Sequence, residues 1–134
     1  MEEIWTLKKA DEEFSKFIRN RDKRCMHPRC SRRWDTDIKG MQCSHFWRRE
    51  ILTTRFDLEN CDSAHAGCHK FKWECDKAGG YRDFKIAQLG RRRFNSLQKR
   101  AMDWQNGKDK TTRREAIIKC MKLLKKWKTN NQKT

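Results

Sequence analysis

NCDSAHAGCH, residues 60–69, places two cysteines, two histidines, an aspartate and an asparagine within ten positions. Within it, His65-Ala66-Gly67-Cys68 has the two-residue gap that a metal knuckle closes with a tight turn. Upstream, Cys25 and Cys30 form a wider pair around Pro28, and His27-x-x-Cys30 offers the standard gap as an alternative. Structural zinc takes four soft or borderline ligands in a tetrahedron, usually as two such pairs. Cys25, Cys30, His65 and Cys68 are the set this spacing favours, with a structural Zn²⁺ as the ion. His27, Cys43 and Cys61 stay open as replacement ligands, as does His69 in place of His65, while Cys75 lies too far past the knuckle.

The rest of the composition points the same way. Seven cysteines are an odd count, and six lie between Cys25 and Cys75 among all four histidines. In a reducing compartment such thiols serve as ligands, catalytic groups or small core residues rather than as a disulfide framework. Only 35% of residues are hydrophobic and 39% are charged. The apolar core is therefore small, and small cores often need a metal staple. A net charge of +16 favours a polyanionic partner, nucleic acid first. No run approaches the roughly 20 apolar residues of a membrane span, and no apolar signal core follows Met1. A cytoplasmic protein without membrane contact is the expectation.

Outward from this zone the periodicity is helical. Leu7, Phe14, Phe17 and Ile18 give residues 4–20 one apolar face. MQCSHFW alternates as a short strand, with TTRFD as its partner across a loop, and Phe71, Trp73 and Cys75 allow a short helix after His65. YRDFKIAQLG predicts a helix stopping at Gly90, and RRRFNSLQKRAMDW continues to a break at Gly107. Thr112-x-x-Glu115 is a capping box before AIIKCMKLLKKW, in which Cys120 reads as core. The chain thus divides into an N-terminal helix (1–24), a Cys/His core (25–78) and a basic helical extension (79–134). From Arg91 to Lys133 fifteen Lys/Arg face three Asp/Glu, which points to phosphate contact by residues such as Arg91, Arg92, Arg93, Lys99 and Arg100. The stripe Ile117, Met121, Leu124 serves either a homodimer interface or the chain's own core.

Setting the zinc ligands aside leaves His45, Asn60, Asp62 and His69. Phosphodiester hydrolysis needs a base for water and a hard cation to stabilise charge on the phosphate and leaving oxygen. A neutral histidine suits the first task near pH 7, and histidine, asparagine and carboxylate suit the second. Each also has an ordinary use: His45 as a hydrogen-bonded strand-end residue, Asn60 as a loop cap, Asp62 as a helix cap. Arg48, Arg49 and Arg55 lie between the two halves of this set, as phosphate-binding guanidiniums or as solvated loop charges. Phe46 and Trp47 read as core.

QCSH…N…HxxCH resembles the HNH, or His-Me finger, nucleases, with His45, Asn60 and His69 as the signature letters. A narrower resemblance, over residues 8–97, rests on ADEEFSKFIRNRDKRC, QCSHFWRRE…TTRFDLENCDSAHAGCH and GGYRDFKIAQLGRRRFNSL. These are similar to the phage NinG/Rap recombination proteins, and the layout is similar to zinc-containing junction resolvases of the endonuclease VII type. The resemblance implies an α+β fold: a small zinc-stabilised ββα-metal core flanked by the N-terminal helix and the basic helical region. It implies His45 as general base, Asn60 as the residue that orients the loop, and His69 as ligand to a catalytic Mg²⁺ or Mn²⁺. It further implies cleavage of branched DNA such as Holliday junctions and D-loops, 5′-phosphate products, a dimer for symmetric cutting, and the cytoplasm of a phage's bacterial host. Ser44 stands where many members have a metal-binding aspartate, and Asp62, where histidine is usual, could supply that oxygen. His65 replaces cysteine, His69 replaces asparagine, and the Cys25–Cys30 gap is wide. The competing readings are a sequence-specific or nonspecific nicking endonuclease and a zinc-stabilised DNA-binding module without catalysis.

Overall fold

The computed structural model describes residues 3–34, 38–69 and 80–132. It is a mixed α+β arrangement in which helices enclose a two-stranded antiparallel sheet. Helix α1 (Leu7–Asp22) starts where the Thr6 hydroxyl accepts the Lys9 N–H at 3.1 Å. It ends at Lys23, whose φ of 59° turns the chain out of the helix. Ala10, Phe14, Phe17 and Ile18 recur at helical spacing and are all buried. They meet Ala116, Ile117, Cys120 and Leu124 of α4 (Arg113–Gln132), together with Phe56 and Cys61, in one core shared by the first, middle and last parts of the chain. Ile117 and Leu124 of the expected stripe are thus buried within the chain, with the half-buried Met121 packed against the same core.

Strand β1 (Met41–His45) pairs with β2 (Cys61–His65), placing Ser44 opposite Asp62 and His45 opposite Cys61. The expected partner, TTRFD, instead supplies the single helical turn α2 (Leu52–Arg55). Its Thr54 hydroxyl turns back to the Ile51 carbonyl at 3.4 Å, the local bond by which threonine competes with a strand ladder. The end of α1 pins β2: Arg21 donates to the Leu58 and Cys61 carbonyls at 2.9 and 2.7 Å, and the Ser63 N–H donates to Asp22 at 2.9 Å.

After β2 the backbone of residues 66–69 is helical. The short helix read from Phe71, Trp73 and Cys75 lies outside the described residues. Helix α3 (Gly80–Gln105) is two helices meeting at Gly90, where φ 80° and ψ 158° are open only to glycine without strain. The expected stop is a kink from which a second helix continues. The capping box forms as read, with the Glu115 N–H donating to the Thr112 hydroxyl at 3.1 Å and the Thr112 N–H to the Glu115 carboxylate at 3.3 Å. No helix among the described residues is long and apolar enough to cross a membrane.

A Cys/His cluster and a candidate active site

Cys25, Cys30, His65 and Cys68 come together with their ligand atoms all within 4.8 Å of one another. A tetrahedral ZnS₃N centre, with bonds of about 2.3 Å to sulfur and 2.0 Å to nitrogen, sets its ligands about 3.5–3.8 Å apart. Cys30 Sγ lies 3.4 Å from His65 Nδ1, just short of that range. Backbone N–H groups of His65 and Arg32 donate to Cys25 Sγ and Cys30 Sγ at 3.4 and 3.3 Å. Such bonds orient thiolates in metal knuckles. Without an ion, burial followed by the neighbouring Cys30 and Cys25 thiols pushes Cys68 up to about 12. Burial likewise raises Cys25. A divalent cation bound there displaces those protons and relieves the crowding, so the donor set fits zinc. His27 stays outside the set, its Nδ1 accepting the Arg29 N–H at 3.1 Å. Cys43 and Cys61 lie elsewhere, on the hairpin face that carries His45.

His45 and His69 line one cleft of about 770 Å³, together with Asp11, Arg19, Lys39, Arg48 and Arg49. Burial, opposed by the Arg55 carbonyl and aided by the Arg49 charge, lowers His45 to about 4, so the ring is neutral at pH 7. His45 Nε2 lies 3.0 Å from the Arg55 carbonyl. A carbonyl only accepts, so Nε2 carries the proton and Nδ1 holds the lone pair that a general base needs. Next to Cys68, His69 has Nδ1 2.8 Å from Ser44 Oγ. Ser44, the position where the HNH resemblance leads one to look for a carboxylate, therefore fixes the His69 ring.

Asn60 is fully buried and ties the loop after β1 to the turn before β2. Its Oδ1 accepts the Trp47 N–H at 2.8 Å, and its Nδ2 donates to the Trp47 and Thr54 carbonyls at 3.0 Å each. That loop carries Arg48 and Arg49, both exposed. Phe46, at its start, packs edge-on against Tyr81 and Phe94.

Asp62 is engaged by α3. Its side chain is wholly buried, and its Oδ2 accepts from Tyr81 Oη at 2.9 Å and Lys85 Nζ at 3.1 Å. Its Oδ1 accepts from Gln88 Nε2 at 2.8 Å. With both oxygens hydrogen-bonded to α3, Asp62 anchors that helix on the sheet. Burial and the Asp62 charge raise Tyr81 well above the usual phenol range, which keeps its hydroxyl a donor. Arg55 is also engaged within the fold: its guanidinium grips Asp11 of α1 at 2.9 and 2.5 Å and the Arg49 carbonyl at 2.9 Å.

On α3, Arg91 and Arg92 are exposed, whereas Arg100 bridges Asp57 and Glu59 at 3.0 Å each and so serves the fold. Arg93 pairs with Glu59 and Lys99 with Asp103 at 2.6 Å, both at the surface where such pairs are weak and exchangeable for phosphate. Neither Asp11 nor the Tyr81/Lys85/Gln88 trio was named from sequence, because each reaches its partner across long sequence separations. Comparison with profiles of known families, with curated proteins and with solved structures gave no match.

Proposed function

We propose that the chain is a metal-dependent endodeoxyribonuclease of the HNH, ββα-metal type that acts on branched DNA. One observation carries the reading. A neutral histidine with its tautomer set by a backbone carbonyl opens, beside a second histidine held next to a Cys/His cluster, onto a cleft where Arg19, Lys39, Arg48 and Arg49 outnumber Asp11 and Glu50. In this reading His45 Nδ1 accepts the proton of an attacking water. Arg48 and Arg49 bind the phosphate oxygens, and Asn60 holds their loop in register. A Mg²⁺ or Mn²⁺ at His69 supplies charge stabilisation to the leaving oxygen when bound. The exposed basic groups of α3, Arg91 and Arg92 foremost, contact phosphates along the duplex arms, which favours shape over sequence.

The commitment of Asp62 to Lys85 favours a second reading, a zinc-stapled DNA-binding module, because it removes a carboxylate that a hard cation prefers. Cleavage of labelled four-way junction and matched linear duplex, with Mg²⁺ or Mn²⁺, separates the two. Junction-selective cutting that disappears in His45→Ala is expected. Equal cutting of both substrates would remove the preference for branches, and salt-sensitive binding without cutting in either metal would leave the binding module.

A further inference from the structure

Cys43, His45 and Cys61 form a second cluster apart from the Cys25/Cys30/His65/Cys68 set. Strand pairing builds it. Cys43 and His45 are two residues apart on β1 and share a face, and Cys61 pairs directly across from His45. One ligand atom from each lies within 4.8 Å of the other two. His45 Nε2 and Cys61 Sγ both donate to the Arg55 carbonyl, at 3.0 and 3.8 Å, which leaves the His45 lone pair on Nδ1 as the atom that would take an ion. Cys43 and His45 line the cleft, which gives an ion a path inward, and the fully buried Cys61 closes the inner side.

We propose that Cys43, His45 and Cys61 are a second zinc site, weaker than the four-ligand cluster, and that filling it takes the His45 ring out of base catalysis. The donor chemistry selects the ion: two thiols and an imidazole suit Zn²⁺ and not Mg²⁺. On binding, two thiol protons leave to solvent and the two thiolates balance the charge of the cation. The half-buried site thus gains no net charge. Three protein ligands leave the fourth tetrahedral position to water, and the smaller ligand count is the reason for weaker binding. The structural part of this proposal is independent of the nuclease reading; the inhibitory part rests on it. Zinc would then hold the chain together at one site and silence it at the other, with the two effects separated by concentration.

The test is a Co²⁺ titration of the metal-free full chain, read by thiolate-to-cobalt charge transfer and by the visible bands of tetrahedral cobalt. Wild type is expected to take up two equivalents in two steps. Cys43→Ser and Cys43→Ala should each keep the first step and lose the second, and His45→Gln should weaken the second alone. A wild-type titration that ends after one equivalent overturns the site, whichever variants fold. So does a second step that survives both Cys43 substitutions with its charge-transfer intensity intact.

A parallel arm measures Mg²⁺-dependent DNA cleavage with and without a second equivalent of Zn²⁺. The ratio of the two rates should fall roughly a hundredfold in wild type, the scale of a lost general base, and stay near one in Cys43→Ser. Cleavage that ignores the second zinc overturns the inhibitory role. A chain that binds the second Co²⁺ but cuts no DNA keeps the site and sinks the nuclease reading.

Discussion

Replacing Asp62 with asparagine separates an anchor from a metal ligand, because the two roles predict opposite patterns of stability and activity. Asp62 and Lys85 are both fully buried and meet at 3.1 Å, with further bonds to Asp62 from Tyr81 at 2.9 Å and Gln88 at 2.8 Å. Removing one member of a buried pair strands the other charge and costs about 3–5 kcal/mol. Asparagine keeps one oxygen as an acceptor for Gln88 or Tyr81, so the expected loss is the lower end, about 3 kcal/mol. With a urea m-value of roughly 1.5 kcal/mol/M, the unfolding midpoint drops by about 2 M.

The measurement is urea unfolding at saturating zinc, so that metal linkage does not differ between proteins. Lys85→Met removes the stranded cation, and the double variant Asp62→Asn/Lys85→Met should be at least as stable as Asp62→Asn alone. With Lys85→Met alone measured as the fourth corner, the double-mutant cycle should give a coupling of about 2 kcal/mol. An Asp62→Asn chain within about 1 kcal/mol of wild type, with metal-dependent cleavage abolished, would refute the anchor and return Asp62 to the metal.

Three further outcomes follow from the same geometry. His45 sits near 4 in the folded chain against about 6.5 unfolded; above pH 6.5 both forms are neutral and the group contributes nothing to pH dependence. As pH falls from 6.5 towards 4 only the unfolded chain takes the proton, so between pH 7 and 5 wild type should lose about 2 kcal/mol more than His45→Gln. Matched denaturant titrations at the two pH values read this directly, and equal losses in both proteins would show that the ring is not desolvated. Chelation of zinc, or Cys68→Ser, should abolish the tight metal equivalent and lower the melting temperature sharply, since structural zinc contributes about 10 kcal/mol or more in small domains. Melting unchanged by chelation would deny the cluster a structural role. Gly90→Ala forces a side chain into φ 80°, ψ 158° and should cost about 1–3 kcal/mol by thermal unfolding, although no neighbouring atom lies within 4 Å of the added carbon.

Local chemistry was readable and distant pairing was not. The face of α1, the Thr112/Glu115 box and the His65-Ala66-Gly67-Cys68 knuckle all depend on residues one to four apart, and each forms as its spacing implies. β2 escaped because all five residues of CDSAH are buried, which erases the alternation that marks a half-exposed strand. TTRFD misled because β-branched residues suggest a strand, while Thr54 closes a helical turn onto Ile51. The roles of Asp62 and Arg55 were hidden for a different reason. Their partners stand 23 and 44 residues away, and a buried carboxylate looks the same in sequence whether it will meet an ammonium or a metal.

The two cleft histidines are held by different kinds of partner, and the difference bears on their division of labour. The Arg55 carbonyl can only accept, so it fixes both the orientation and the tautomer of His45, leaving the lone pair on Nδ1. Arg55 itself is held by Asp11, so α1 braces the residue that orients His45 as well as the core. Ser44 faces His69 with a hydroxyl, which can donate or accept. It fixes the ring without dictating the proton, and donation from Nδ1–H to Ser44 places the His69 lone pair on Nε2, where a cation can use it. In the proposed nuclease, a base with a predetermined tautomer thus stands beside a histidine whose free lone pair can take a divalent ion.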